Sequence, residues 1–266
     1  MKFCVDHDLH IHSRLSLCSH DDNQTPERIL AYAKQNGLKT ICLTDHFWDE
    51  SVPGASGWYQ KQNYAHITES LPLPKDDEVK FLFGAETDYD RLFTVGVSDA
   101  MYDKLDFVII PTTHMHMEFV YPKENDSFER RAEQFVMRLD KLLDKDLPFH
   151  KIGIAHMTCS LMMNTEPLAH HKVLNMIPDS TYRELFTKLA KKGAGFELNF
   201  PAFAYEGEEL QTELRPYRIA KECGCRFYLG SDAHKVTELD KAYANLERMV
   251  ELLDLTEDQK FIIQER

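Results

Sequence analysis

Histidine and acidic residues recur directly after the short apolar runs of this chain. Five of the seven runs that resemble strands are followed within a few residues by a histidine. Burying so many polar groups without a cation would be costly, and imidazole and carboxylate are ligands of Zn, Fe and Mn ions. The sequence therefore predicts metal binding at the strand ends. The polar residues at these positions are Asp8, His10, His12, Asp45, His46, Glu86, His114, His156, Glu197, Asn199, Asp232 and His234.

Two of these strand ends carry pairs of possible ligands. In His10-Ile11-His12 the two histidines are alternate residues, so both imidazoles face the same side of a strand. Asp232 and His234 have the same spacing, after a Gly-Ser pair that permits a close turn. If the first and last strands are neighbours in a closed sheet, the two pairs meet at one site.

More than four plausible ligands imply more than one metal ion. A carboxylate such as Glu86 can bridge two ions about 3.5 to 4 Å apart, an arrangement that lowers the pKa of a bound water toward about 7. This chemistry is hydrolytic. The sequence contains no G-x-S-x-G, G-x-x-x-x-G-K-[ST], G-x-G-x-x-G or H-E-x-x-H motif. Serine hydrolases, P-loop proteins, dinucleotide-binding proteins and zincins therefore lack their usual motifs here.

Strand-like runs alternate with helical patterns, which indicates an α/β fold with a parallel sheet. Seven such units with a helical tail favour a TIM-like barrel over an open doubly wound sheet, and one domain covers residues 1–266. Segment 51–77 is expected to be an irregular active-site loop. The predicted strands are residues 2–10, 39–44, 79–84, 105–111, 151–155, 195–198 and 226–229, and the predicted helices are 25–36, 128–143, 180–192, 215–223 and 239–253.

Composition narrows the class of protein and its partners. The chain has 266 residues, 43% of them hydrophobic, and a formal net charge of -13. No apolar run approaches the roughly 20 residues of a membrane span, and no signal peptide is evident, so a cytoplasmic protein is expected. The lack of a Lys/Arg block disfavours long duplex nucleic acid as a partner. Six cysteines without a C-x-x-C pair predict reduced thiols.

The motifs as a set resemble the PHP (polymerase and histidinol phosphatase) family, in particular its histidinol-phosphatase branch. They are Asp8-Leu-His10-Ile-His12-Ser13, Cys18-Ser-His20, Leu43-Thr-Asp45-His46, Gly84-Ala-Glu86, His114, Ala155-His156 and Gly230-Ser-Asp232-Ala-His234. The resemblance implies a distorted (β/α)7 barrel with a trinuclear centre of divalent ions (Zn, Fe or Mn). Its first ion would bind His10, His12, Glu86 and Asp232, its second Glu86, His114 and His156, and its third His20, His46 and His234.

The resulting hypothesis is hydrolysis of a phosphate monoester of a small metabolite, with histidinol phosphate as the first candidate. Hydroxide held at the metal centre would attack phosphorus, with catalytic roles for Glu86, Asp232 and His234. Asp8 and Asp45 would orient ligand imidazoles. Residues next to the motifs that are expected to meet the phosphate are Ser13, Arg14, Arg91 and Lys235.

Three alternatives remain open at this point: a nuclease or nucleotide phosphatase acting on short strands, an amidohydrolase-type C-N hydrolase, and a metal-binding module without turnover. The histidines outside the motifs have simpler expectations. His116, two residues past His114, is an alternative ligand but is expected at the surface or behind the ligands. The others are expected to be solvated or structural: His7, His66, His150, His170 and His171.

Overall fold

The computed structural model describes residues 1–263, so the last three positions of the predicted 1–266 domain lie outside the described residues. The fold is α/β, and every strand pairing within its two sheets is parallel. One sheet has the order β1-β2-β3 and the other the order β4-β5-β6-β7-β8. The strands are β1 His7–Ile11, β2 Thr40–Leu43, β3 Lys80–Phe83, β4 Ala85–Glu86, β5 Val108–Pro111, β6 Ile152–Ala155, β7 Gly195–Leu198 and β8 Arg226–Leu229.

The third predicted strand, 79–84, corresponds to β3, and a further short strand, β4, follows Gly84. At Gly84 a Cβ atom would lie 2.5 Å from the carbonyl oxygen of Phe107 and 2.7 Å from Sγ of Cys42. Before this glycine β3 pairs with β2, and after it β4 pairs with β5. The chain therefore crosses from one sheet to the other at a position where no side chain fits, and Glu86 follows directly.

Contacts beyond the strands join the two sheets at their carboxyl ends. Parallel bridges pair Ile11 with Ala233 and His46 with Glu86. The backbone N–H of Asp232 donates to the carbonyl oxygen of His10 at 2.7 Å. These bridges bring the ends of β1, β2, β4 and β8 together, while the closed barrel stays a prediction.

Eight α-helices lie between and after the strands of the described part of the chain. The five predicted helices are all present, and Thr25 caps α1 with Pro26 in its first turn. Helix α7 begins at Gly207, eight residues before the predicted start at 215, and Pro216 lies inside it. The helices are α1 Pro26–Gln35, α2 Tyr64–Ile67, α3 Asp99–Tyr102, α4 Phe128–Leu143, α5 Ala169–Met176, α6 Asp179–Lys192, α7 Gly207–Glu222 and α8 Val236–Leu253. Among residues 1–263, no helix is both long and apolar enough to cross a membrane.

Two arginines of α4 hold the chain that follows β5. Arg138 is 1% exposed, and its guanidinium donates to the carbonyl oxygens of Thr112 and Val120, both at 3.0 Å. Arg131 donates to the carbonyl oxygens of Met115 at 2.9 Å and Met162 at 2.6 Å. These bonds satisfy carbonyl groups that lie outside regular structure. They therefore hold the segment that carries His114.

Candidate metal centre

Four predicted ligands meet at the carboxyl ends of β1, β4 and β8. Nε2 of His12 lies 3.1 Å from Oδ1 of Asp232 and 3.2 Å from Oε2 of Glu86. Nε2 of His10 lies 3.3 Å and 3.5 Å from the same two atoms. A tetrahedral ion with bonds of about 2.0 Å places its ligand atoms about 3.3 Å apart. The spacing of this group fits such an ion.

Hydrogen bonds on the far side of each ring determine which nitrogen faces the group. Nδ1 of His10 donates to Oε1 of Glu197 at 2.6 Å. Ser16 gives its proton to Asp45, so Nδ1–H of His12 donates to Oγ of Ser16 at 2.8 Å. The two Nε2 atoms lie 3.1 Å apart. Two nitrogen lone pairs this close require positive charge between them, which protons or a metal ion can supply.

The other carboxylate oxygen of Glu86 lies near a second group of predicted ligands. Its Oε1 lies 3.2 Å from Nε2 of His156 and 4.0 Å from Nε2 of His114. Among the described residues, the buried Nε2 of His114 has no hydrogen-bond partner. An unsatisfied nitrogen at this position fits a metal ligand. Glu86 therefore lies between two groups of donors, as expected for a bridging carboxylate.

A third group differs from the predicted one. The donor atoms of His12, His46 and His234 lie within 4.8 Å of one another, and the rings of His12 and His234 stack at 4.1 Å. His20, which was predicted to join His46 and His234, is exposed and lies outside these groups. The structure therefore brings two of the three predicted residues together and adds His12.

Two further carboxylates, Glu197 and Asp88, contact the ligands. Glu197 is fully buried, bonds His10 and also accepts from the backbone N–H of His156 at 3.0 Å. Asp88 lies 3.3 Å from Nδ1 of His114 and accepts from the hydroxyl of Tyr59 at 2.5 Å. Neither was predicted as a site residue, although Glu197 was noted at its strand end. Asp45 contacts His12 only through the hydroxyl of Ser16. Asp8 accepts backbone N–H groups of His10 and Ser231.

The backbone is strained at two of the predicted ligands. His156 has φ of 60° and Asp232 has φ of 55°, values in the left-handed region that non-glycine residues rarely adopt. Such conformations cost about 1 to 3 kcal/mol each and concentrate at functional sites. Close to Asp232, a Cβ on Gly230 would lie 2.3 Å from Oε1 of Glu197 and 2.7 Å from Cβ of His10. The glycine therefore lets this turn approach the centre.

The protonation states of the clustered histidines and carboxylates depend on one another. Burial opposes ionisation of Glu86, but the neighbouring His46 and His10 hold its pKa well below the usual range. Burial also opposes protonation of His12, but Asp232 and Glu86 outweigh it and raise its pKa to about 9. Metal ions that bind here must displace protons from such histidines, so we expect weaker metal binding at acid pH.

A cavity of about 730 Å³ opens over the centre. Segment 51–77 contributes Ser56 and Trp58, whose ring lies 4.9 Å from that of His46. Within residues 1–263, no lysine or arginine lines the cavity. The walls are completed by Cys18, His116, Met117, Glu118, Phe119 and Leu161.

The four residues predicted to bind phosphate are not among the lining residues. Ser13 is buried, and its hydroxyl donates to Oδ2 of Asp45 at 2.7 Å. Arg14 and Arg91 are exposed, and the half-exposed Lys235 lies 4.0 Å from Glu238. Their roles in binding substrate stay predictions.

Comparison with known proteins identifies the family. The model of the PHP domain matches residues 8–200, which is more than half of the chain. The chain belongs to the PHP family. Asp232 and His234 lie beyond the matched residues, and the structure brings them to the PHP motifs at the end of β1. The resemblance inferred from the motifs is thus confirmed, whereas none of the curated proteins matches the sequence.

Two solved structures share the fold of this PHP protein at low sequence identity. The histidinol phosphate phosphatase of Lactococcus lactis, solved with zinc, L-histidinol and phosphate, is 16% identical, with a TM-score of 0.57 over 92% of this chain and 93% of that chain. A histidinol phosphatase described as putative, from Listeria monocytogenes, is 15% identical, with a TM-score of 0.63 over 90% of this chain and 98% of that one.

Proposed function

We propose that this PHP protein is a metal-dependent phosphoesterase that hydrolyses a phosphate monoester of a small metabolite. The observation that carries the proposal is the meeting of His10, His12, Glu86 and Asp232 at spacings that fit one ion. Glu86 also reaches toward His114 and His156, which would hold a second ion. His46 and His234 would bind a third, with His12 in the position expected of His20.

Bound Zn, Fe or Mn ions would polarise the phosphoryl oxygens and lower the pKa of a water nucleophile. The protein holds the donors in place. Glu197 and the Ser16–Asp45 pair orient the rings of His10 and His12 so that each Nε2 faces the centre. Hydrogen bonds to the other ring nitrogen of a metal-binding histidine typically account for a 10- to 100-fold effect on metal affinity.

His234 is positioned to handle a proton. Its Nδ1–H donates to the carbonyl oxygen of Asp232 at 2.8 Å, which leaves Nε2 free to bind an ion or to hold a proton for the leaving oxygen. Trp58 and Phe119 form an aromatic part of the cavity wall. They would exclude water and pack against the organic part of the substrate.

Histidinol phosphate is the first substrate to test, because a protein of the same fold was solved with L-histidinol and phosphate. The cavity also favours a small monoester over a nucleic acid strand. Its described lining contains no lysine or arginine to neutralise the phosphates on either side of a scissile diester.

The test is a panel assay on protein reconstituted with Zn, Fe or Mn. The substrates are histidinol phosphate, an aryl phosphate, a short oligonucleotide and a dihydropyrimidine-type amide. We expect hydrolysis of the two monoesters and loss of it on chelation. Preferential cleavage of the oligonucleotide would favour the nuclease alternative, and cleavage of the amide alone the amidohydrolase. A metal-loaded protein that is inert toward all four would contradict the proposal.

We also propose that the two sheets form one distorted TIM-like barrel in a single domain spanning residues 1–266. The bridges Ile11–Ala233 and His46–Glu86, which connect the two sheets near the carboxyl ends of their strands, support this proposal.

A further inference from the structure

A second group of side chains that could hold a metal ion lies outside the strand-end centre. His170 and His171 are in the first turn of α5, and Glu213 is in the middle of α7. All three side chains are buried, and their donor atoms lie within 4.8 Å of one another. The group shares no residue with those around Glu86. The sequence alone suggested only solvated or structural histidines here.

Glu213 is a buried carboxylate whose side chain faces α5. The residue is 1% exposed, and its Oε2 lies 2.9 Å from Nε2 of His171. Its Oε1 accepts a hydrogen bond from Oγ1 of Thr158. In the described part of the chain, no lysine or arginine forms an ion pair with Glu213. A buried carboxylate is costly unless positive charge is near, so a proton on His171 or a bound cation must compensate it.

His170 is the observation that distinguishes these two possibilities. The residue is 4% exposed, yet its ring makes no hydrogen bond with any residue that the structure describes. Its Nε2 lies 3.9 Å from Oε2 of Glu213, beyond hydrogen-bond distance. A hydrogen bond between His171 and Glu213 would account for two members of the group but leaves His170 unexplained.

We propose that His170, His171 and Glu213 bind one divalent cation of the zinc class. Two imidazoles and a carboxylate form a ligand set that Zn²⁺ uses in proteins. Bonds of about 2.0 to 2.2 Å place ligand atoms about 3 to 4 Å apart. The observed separations from Oε2 of Glu213, 2.9 Å to His171 and 3.9 Å to His170, span this range. The fourth position would be left for water.

An ion at this site would tie α5 to α7. The hydrogen bond from Thr158 to Glu213 places this site next to the chain that follows β6. Thr158 is the second residue after His156. The bound ion stabilises the folded state, because the unfolded chain does not hold the three ligands together. The expected signature is a change in metal content and in zinc-dependent thermal stability.

The experiment compares wild type with His170→Gln and Glu213→Gln after zinc loading and removal of free zinc on a desalting column. Both variants should bind about one ion fewer per chain and show a smaller rise in Tm on zinc addition. His66→Gln is the matched control, because His66 is a partly buried histidine outside the metal groups, and it should retain the wild-type metal content. Unchanged metal content in both cluster variants would overturn the proposal.

The variant Asp232→Ala distinguishes a failure of this inference from a failure of the proposed function. It removes a ligand of the strand-end centre, so it should lower the metal content while the ion at Glu213 remains. If the strand-end centre binds nothing, the loss caused by His170→Gln is still measurable.

A measurement on wild type covers the case in which a variant fails to fold. Crystals of the zinc-loaded protein, measured at the zinc absorption edge, should give an anomalous peak among the three side chains. A map without a peak there would overturn the inference.

Discussion

Two cavities of similar size lie at opposite ends of the strands. The one at the carboxyl ends measures about 730 Å³ and contains Glu86, His114, His156 and Asp232. The one at the amino ends measures about 770 Å³ and is bounded by the first residues of β1, β2 and β3 and by the chain around Phe261. Volume therefore does not distinguish them, but their polar groups do.

Polar groups at the amino-terminal end are largely paired with each other. Nζ of Lys260 lies 3.1 Å from Oδ2 of Asp6 and 2.5 Å from Oε1 of Glu257, and Lys151 donates to the carbonyl oxygen of Leu105 at 2.7 Å. At the carboxyl-terminal end, ring nitrogens lie close together and Nε2 of His114 has no partner in the described structure. The convergence of imidazole and carboxylate groups, more than cavity size, therefore marks the carboxyl-terminal end as the candidate site. Four predictions test this contrast. They are given from the largest to the smallest expected change in free energy.

The largest effect is expected from Asp232→Ala. The carboxylate contacts His10 and His12 and lies 3.8 Å from His156, so its removal should abolish metal loading and turnover together. We expect activity to fall by roughly 10³-fold or more, or about 4 kcal/mol of transition-state stabilisation. Metal analysis and kinetics on the same sample check this. Full activity with undiminished metal content would refute the assignment, and Glu86→Ala should behave in the same way.

Arg138→Met should reduce stability by about 3 kcal/mol. The substitution keeps much of the apolar stem but leaves the carbonyl oxygens of Thr112 and Val120 without their donor in a buried position. Denaturant unfolding measures the change, with the exposed Arg218→Met in α7 as the control. Equal stability of the two variants would show that the segment carrying His114 is held by other contacts.

Glu197→Gln should weaken metal binding by about 10- to 100-fold, which is about 1.4 to 2.7 kcal/mol. The amide no longer holds His10 with a charged acceptor, while its shape is nearly unchanged. Competition with a chelator gives the affinity. The exposed Glu222→Gln serves as the control for the loss of one negative charge. An unaltered affinity would mean that His10 is oriented without Glu197.

The smallest effect is expected at the opposite end. Lys260→Met breaks the pairs with Asp6 and Glu257, whose side chains are partly exposed and can be hydrated, so we expect a stability loss of about 1 kcal/mol. Metal content and turnover should equal those of wild type. A large loss of activity in a folded variant would show that the two ends are coupled and would remove the contrast between them.

Local patterns predicted much of the fold. Thr25 and Pro26 marked the start of α1, and helix 128–143 was predicted with the bounds that the structure shows. The break at Gly84 was not predictable from the run 79–84, because it depends on the distant Phe107 and Cys42. Helix α5 was missed because its eight residues are too short for a clear apolar period.

The structure brings the predicted site residues together where a residue's own strand sets its direction, and separates them where another element decides. Alternation along β1 directs His10 and His12 to one side, and the structure shows them together. His20 has a suitable side chain, but it follows the short turn at 13–19 and lies at the surface. The motif neighbours Arg14, Arg91 and Lys235 likewise are exposed and do not line the cavity, because adjacency in sequence does not determine where a side chain lies.

The sequence by itself determined the alternation of strands and helices, the supply of imidazole and carboxylate donors, and the strand ends at which most of them stand. These properties depend on backbone periodicity and residue type, which are local. Only the tertiary structure decided that Glu86 lies between two groups of histidines, that Glu197 orients His10, and that Glu213 meets His170 and His171. Such contacts join residues far apart in the chain, and their geometry arises from the packing of many elements at once.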